Sequence, residues 1–212
     1  MKHIKKTLLT TAFLAAVPFS HSAFAEGPIS ANVALTTNYI FRGQTQNNED
    51  PALQGGFDFE HGSGFYAGVW GSNVDFGGDE STELDFYGGW GFDLGGVDLD
   101  LGVVLYRYFG GDDASASDLE EAYVGLSAFG FDLYYYAGLD DATDNVELSY
   151  GFDITKGLSL GFTVGDWEDV ADEYYSISLS GGGLAGLDWD VTVADSDVTD
   201  DTQVALSISK SF

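Results

Sequence analysis

Apolar and polar residues alternate along most of the chain from Ser30 onward. Across residues 83–94, one set of alternate positions is apolar or glycine, and the other carries the acids Glu83, Asp85 and Asp93. Successive side chains of a β-strand point to opposite faces, so a period of two predicts strands with one apolar and one polar face.

The pattern predicts twelve strands, most of about ten residues, which is the length that a tilted strand needs to cross a bilayer. Their ranges are near 30–42, 52–61, 64–73, 82–94, 97–108, 118–128, 131–139, 145–154, 158–166, 173–180, 187–194 and 202–212.

The connections between these strands are of two kinds, which alternate along the chain. One kind is short, contains glycine and holds no acidic residue: 61–64, 95–96, 129–130, 155–157 and 181–186. The other kind is mostly longer and holds twenty acidic residues in total: 43–51, 73–81, 109–118, 140–144, 166–173 and 195–201. Bacterial outer-membrane barrels have an even strand number, short periplasmic turns and long external loops. We therefore expect the acidic connections to face outside and the glycine connections to face the periplasm.

Two all-β folds are compatible with the alternation. In a secreted β-sandwich the apolar faces pack between two sheets, but that fold gives no reason for acids to concentrate at one end of the strands. A barrel does, and it also explains aromatic residues at strand ends as girdles at the membrane interfaces. We assign Tyr39, Phe41, Tyr66, Trp70, Tyr106 and Tyr108 to the outer girdle. Phe57, Phe59, Phe65 and Trp90 are assigned to the inner one.

The predicted fold is therefore a closed, antiparallel, up-and-down transmembrane β-barrel of about twelve strands. Closure is expected because an unpaired backbone group in lipid costs several kcal/mol. The final Phe212, with Ile208, Leu206 and Val204 at alternate positions before it, is similar to the C-terminal aromatic signal of outer-membrane barrels. Lys210 departs from that signal.

The first residues have the three parts of a secretory signal peptide. A basic start is followed by an apolar run from Thr7 to Phe19, which is too short to span a bilayer, and by the small-x-small site Ala23–Ala25. Residues 1–25 are the expected signal peptide, and 26–212 the single barrel domain, delivered to the outer membrane of a Gram-negative cell.

The charge balance excludes several classes of partner. The chain has 35 acidic and 7 basic residues, and three of the lysines lie in the expected signal peptide. Nucleic acid binding needs clustered Lys and Arg, so no nucleic acid partner is expected. Cysteine is absent, no later segment is apolar enough for a transmembrane helix, and no cofactor or metal site is predicted.

The polar face of the strands is expected to line the barrel lumen. The pore-lining candidates are Arg42, Asp58, Glu60, Glu83, Asp85, Asp98, Asp100, Glu121, Asp132, Glu147, Asp188 and Asp190. Acidic walls favour cations in a pore. Arg42 is either a selectivity element or a salt-bridge partner that holds the first strand in place. Inward glycines leave room in the lumen, although side chains can fill so narrow a barrel.

The opening of the predicted barrel resembles a known family. Asn38–Gln46, Pro51–Gly56 and Gly64–Asn73 are similar to the TorF family, to which a porin role is ascribed; the likeness is specific over roughly 30–95. The resemblance implies an outer-membrane barrel with a channel role and transfers no catalytic or binding residue.

The leading hypothesis is a porin for passive passage of small polar solutes or ions, with a preference for cations. Its expected partners are outer-membrane lipid and lipopolysaccharide. The sequence does not decide whether the protein forms a homo-oligomer. The alternative is a structural or binding barrel that acts through acidic loops, which hold divalent cations. An enzyme is not expected, because the mature chain has only His61 as a general base, at a periplasmic turn.

The sequence does not decide whether Arg107 points outward or into the barrel. Arg107 shares the parity of Val103 and Leu105, which places it on the lipid side. It either lies above the hydrocarbon beside lipopolysaccharide phosphates or is turned inward by a β-bulge.

Overall fold

The computed structural model describes residues 28–111, 118–140, 142–184 and 186–212. The expected signal peptide, 1–25, lies outside the described residues, as do Asp112, Asp113 and Asp141 of the acidic connections. Within the described ranges, no helix is long and apolar enough to cross a membrane.

The described residues form fourteen strands in sequence order. They are β1 (Ile29–Thr36), β2 (Ile40–Phe41), β3 (Gln44–Thr45), β4 (Ala52–Glu60), β5 (Phe65–Asn73), β6 (Thr82–Asp93), β7 (Asp98–Phe109), β8 (Leu119–Ala128), β9 (Phe131–Leu139), β10 (Asn145–Thr155), β11 (Leu158–Trp167), β12 (Ala171–Leu184), β13 (Leu187–Ser196) and β14 (Gln203–Ser211).

Twelve of these strands form a closed antiparallel barrel, and β2 and β3 form a separate two-stranded hairpin. β1 pairs with β4 on one side and with the last strand, β14, on the other. The wall therefore has no free edge, and the predicted closed all-β barrel is confirmed.

Strand bounds agree with the sequence prediction to within two or three residues, except at two places. Gly181–Gly183 were predicted in a turn but continue β12, because a register shift between Gly182 and Leu184 accommodates Gly183 at φ 98°. The other exception is the first strand, which was predicted to run to residue 42 and ends at Thr36.

Local polar side chains end β1. The Thr36 hydroxyl donates to the carbonyl of Asn38 at 2.8 Å, and the Tyr39 amide donates to the Asn47 side chain at 3.0 Å. Such side-chain bonds compete with the strand ladder for backbone groups. The chain therefore leaves the wall after Thr36 and turns into the barrel.

The apolar positions of the alternation face outward. Leu53, Phe57, Leu133 and Val204 are 45–63% exposed, although each lies within a wall strand. The outward face is thus an apolar belt, as the alternation predicted.

Of the two predicted aromatic girdles, one lies on the outer surface and the other lies inside the barrel. Phe57, Phe59, Phe65 and Trp90 lie on the outer surface, where the Phe65 and Trp90 rings are 5.3 Å apart. The outer-girdle assignment was wrong: Tyr39, Tyr66, Trp70, Tyr106 and Tyr108 are buried inside the barrel, and Phe41 packs beside them. Those on the wall occupy inward positions of their strands, where each tyrosine hydroxyl finds a polar partner.

Arg107 lies on the outer face. The register of β7 is continuous with both neighbouring strands, so no bulge turns the side chain inward. Its guanidinium pairs with Glu120 and lies 3.7 Å from Asp118. These two carboxylates compensate its charge on the outer face, near the end of β7 that leads into the acidic connection 110–118.

Inward-facing glycines accommodate tyrosine rings. Five glycines lie directly opposite a tyrosine of the adjacent strand: Gly68 and Tyr87, Gly89 and Tyr66, Gly102 and Tyr123, Gly125 and Tyr134, and Gly165 and Tyr174. A Cβ on any of these glycines would overlap the facing ring. The room that the glycines leave is therefore filled by tyrosine side chains.

A pair of glycine variants tests this packing. Gly125→Ala should destabilise the barrel by about 1–3 kcal/mol, because the new methyl group overpacks the Tyr134 ring. Gly91→Ala is the matched control, since its Cβ would meet only the Gly64 carbonyl at 4.0 Å. Urea unfolding in detergent micelles measures both, and equal stability of the two variants would contradict the packing argument.

Candidate functional site in the barrel interior

The segment 37–51, which contains the β2–β3 hairpin, fills the barrel interior near the end of the acidic connections. We call it the inner loop. Its Tyr39 packs edge-on against Trp70 of β5, at 5.4 Å between ring centroids. Its Asn38 donates to Gln203 of β14 at 3.0 Å, and Ile40 packs with Ala194 and Ala205. The inner loop therefore touches opposite sides of the wall.

Arg42 lies at the tip of this hairpin. It has a φ of 47°, in the left-handed region that costs a non-glycine residue of the order of 1 kcal/mol, and its side chain is 4% exposed. Gly43 follows at φ 79°, and a side chain there would overlap Asp195 and Tyr174. The tip is thus fitted closely between wall strands.

The Arg42 guanidinium forms a bidentate ion pair with Glu121 on β8. Nη1 donates to Oε1 at 2.7 Å and Nη2 donates to Oε2 at 2.8 Å. Tyr106 of β7 donates to the same carboxylate at 3.0 Å. Charge-assisted, two-pronged contacts of this kind fix the orientation of both groups.

Three aromatic rings surround the guanidinium. Its carbon lies 4.7 Å from the ring centre of Phe41, 5.1 Å from Tyr136 and 4.7 Å from Trp167. These distances are within the range of cation–π attraction. Burial acts to lower the pKa of Arg42, but the charge of Glu121 outweighs it, so the pKa lies above its ordinary value. Arg42 therefore stays charged.

Tyrosine hydroxyls hold many of the predicted pore-lining carboxylates. Tyr66 and Tyr134 both donate to Asp100, at 2.6 and 3.2 Å, and Tyr87 donates to Asp58. Two further pairs are Tyr108 with Glu83 and Tyr174 with Glu147, both at 2.9 Å. The structure thus places these acids and tyrosines on the inward face as a network of several separate hydrogen-bonded groups.

Asp85 lies within this network but has no hydrogen-bond partner. Its residue is fully buried, and neither carboxylate oxygen has a partner. Trp70 and Tyr106 lie directly opposite it on the adjacent strands. A carboxyl group in such a site is costly in its charged form, so burial here favours the neutral acid.

The remaining predicted pore-lining residues lie apart from the buried network. Glu60 and Asp188 are exposed and Asp98 is half-buried, all near the short turns. Asp132 is buried and accepts a hydrogen bond from Ser127. Asp190 is half-buried and accepts from Thr192 at 2.7 Å.

Small residues, most of them polar, line one side of the interior, and sequence reasoning named none of them as site residues. Inward positions of β12, β13, β14 and β1 carry the half-buried Asn32, Ala34, Ser176, Ser180, Thr192, Ser207 and Ser209, whereas Ser178 between them is 2% exposed. Residues that point into a barrel and yet are solvent-accessible border open space. The signal was visible in the alternation of serine with apolar residues over 176–180 and 207–209.

Sequence reasoning also placed Arg42 on a wall strand, and this was wrong. The residue does face the interior, but from the inner loop. Three consecutive polar residues, Thr36–Asn38, interrupt the alternation and are the signal that could have ended the strand earlier.

Two candidates for other activities lie outside the interior. His61 is exposed in the turn after β4, where its Nδ1 contacts the Ser63 hydroxyl at 2.8 Å. In the acidic connection 197–202, Asp197 accepts from a backbone amide, that of Glu173. Across the residues that the structure describes, no group of three or more His, Asp or Glu side chains is arranged to hold a metal ion.

Solved structures resemble this chain in fold, and a family model matches part of its sequence. The structure is similar to the KdgM porin, with a TM-score of 0.65 and 10% identity over 86% of this chain and 99% of that one. It is also similar to the KdgM porin in complex with disordered oligogalacturonate, with a TM-score of 0.63 and 10% identity over 87% of this chain and 98% of that one. At this identity, the likeness concerns the fold. No curated protein sequence matches the chain significantly.

Residues 22–133 match the family model Gcw_chp, described as a bacterial protein of unknown function. The likeness to TorF stays a prediction from residues 30–95, which lie within this match. Because the match covers more than half of the 212 residues, the chain belongs to the Gcw_chp family.

Proposed function

We propose that this protein is an outer-membrane channel for small polar solutes or ions that prefers cations and is constricted by its inner loop. The outward apolar belt supports a membrane location, since a soluble barrel would expose polar side chains there. Residues 1–25 would direct export, the glycine turns would face the periplasm and the acidic connections would face outside. The protein then meets lipid and lipopolysaccharide on its outer surface.

One observation carries the proposal: the interior is divided between a filled half and an accessible half. On the β5–β9 side, tyrosines and carboxylates pack until most are under 10% exposed. On the β12–β14 and β1 side, most small hydroxyl-bearing residues remain half-exposed, although Ser178 is buried. A path for small solutes would run along this second side.

The inner loop covers this path at one end. Thr36, Ala194 and Ala205 are at most 5% exposed, and the last two pack with Ile40 of the inner loop. A solute would therefore pass only when the hairpin shifts, or through a narrow gap beside it.

The cation preference is supported by the balance of charge inside. Asp98, Asp188 and Asp190 are exposed or half-buried carboxylates on inward positions, where a passing solute would meet them. Among the described residues, Arg42 is the one basic side chain buried inside the barrel, and Glu121 already neutralises it. Rings of acidic side chains select for cations in other channels.

The acidic interior argues for a different solute from the one found in a structure of similar fold. The KdgM porin is described in complex with oligogalacturonate, a chain of acidic sugars. A polyanion would be repelled by the interior carboxylates here. We therefore propose a neutral or cationic solute for this channel.

Removing the ion pair that anchors the hairpin should widen the channel. Arg42→Ala combined with Glu121→Gln removes both charges, so no buried charge is left unpaired. We expect single-channel conductance in planar bilayers to rise about threefold as the constriction loosens.

The matched control is Arg107→Ala with Glu120→Gln. It removes the same two residue types from an ion pair on the outer face. Its conductance should equal that of the wild type. An equal rise in both double variants would disprove the constriction by the inner loop, and the absence of conductance in every protein would rule out a channel.

Ion selectivity tests the proposed path. Asp190→Asn, on the accessible side, should lower the ratio of potassium to chloride permeability by about twofold, because one carboxylate leaves the route. Asp201→Asn, which changes an exposed residue of the connection 197–202, is the control. Reversal potentials in a potassium chloride gradient give both ratios; an unchanged value for Asp190→Asn would place the path elsewhere.

A further inference from the structure

We propose that the pocket around Arg42 is a guanidinium-binding site of the barrel wall, which Arg42 occupies as an internal ligand. Solutes that carry a guanidinium group would compete with Arg42 for it. The binding site stands on the geometry alone. The claim that such solutes are cargo rests on the proposed channel function.

Most of the pocket belongs to the wall and not to the inner loop. Glu121 comes from β8, Tyr136 from β9, Trp167 from β11 and Tyr106 from β7. Of the groups that contact the guanidinium, Phe41 alone comes from the hairpin. If the hairpin moved, the carboxylate and two of the three rings would stay in place.

The shape of the pocket fits a guanidinium better than an ammonium group. The two Glu121 oxygens accept from two parallel nitrogens at 2.7 and 2.8 Å, which needs a planar, forked donor. The faces of Tyr136 and Trp167 can stack on such a plane. An ammonium ion is a strongly hydrated point charge and can use only part of this arrangement.

Because Glu121 needs a counter-charge, Arg42 would leave the pocket only when another cation takes its place. Glu121 is 1% exposed, and Asp85 nearby is buried without a partner. If Arg42 left, Glu121 would keep the Tyr106 hydrogen bond but lose its counter-charge, which is strongly unfavourable for a buried carboxylate. A second guanidinium that replaces Arg42 removes this penalty.

The backbone of the tip does little to hold it against the wall. Arg42 and Gly43 adopt φ 47° and 79°, the pair of left-handed conformations that a two-residue hairpin turn between Phe41 and Gln44 requires. β2 and β3 are two residues long each, so the hairpin has few backbone hydrogen bonds of its own. Side-chain contacts, the Arg42–Glu121 ion pair among them, therefore set the position of the tip.

Calorimetric titration of the full chain in detergent tests the site, with methylguanidinium as the probe. Arg42→Ala should bind one methylguanidinium per chain, roughly tenfold more tightly than the wild type, whose site is occupied internally. Methylammonium should bind the variant much more weakly. Flat heats for Arg42→Ala, or equal binding of the two probes, would overturn the proposal.

Two double variants identify the carboxylate. In the Arg42→Ala background, Glu121→Gln should abolish methylguanidinium binding. Glu120→Gln, which changes the adjacent residue on the opposite face of β8, should leave it intact. Loss of binding in both, or in neither, would contradict the assignment to Glu121.

A bilayer measurement keeps the proposal testable if Arg42→Ala does not fold. Added methylguanidinium should raise the wild-type conductance in a saturable way, whereas methylammonium at the same concentration should not. No difference between the two ions in a conducting wild-type channel would overturn the exchange. Binding without conductance in any protein would instead uphold the site and remove the channel function.

Discussion

Closure of the backbone hydrogen-bond ladder is the constraint on which the rest of this structure depends. β14 pairs with β1, and β1 pairs with β4, so the first and last strands share one wall. In lipid, an unpaired backbone amide or carbonyl has no water to bond with. Once twelve strands close, the diameter is set, and every inward side chain must fit within it.

The interior meets this limit with glycine and tyrosine in register. Five inward tyrosines gain space because the residue opposite them lacks a side chain, as Gly68 does for Tyr87 and Gly102 for Tyr123. The hydroxyls then reach the carboxylates of Asp58 and Asp100, which would otherwise be buried without partners. The same glycine–tyrosine pairs therefore fill the interior and supply hydrogen-bond donors to the carboxylates.

The inner loop adds the one cation that this acidic interior contains among the described residues. Buried ion pairs contribute little net stability, because desolvation offsets most of the attraction. They do specify position, and the Arg42–Glu121 pair specifies where the hairpin tip lies.

The sequence by itself determined the strands, their faces and the two ends of the barrel. Alternation is a local property, so the outward Phe57 and Leu133 and the inward Asp58 and Glu83 could be assigned from parity alone. The position of Arg107 on the outer face also followed from parity, once the register of β7 excluded a bulge. Only the tertiary structure decided where residues 37–51 lie and which residues they contact. Their partners, such as Glu121 and Gln203, lie 79 and 165 residues away from the residues they bind. No local pattern encodes such contacts, because they exist only after closure brings opposite walls within reach of the loop.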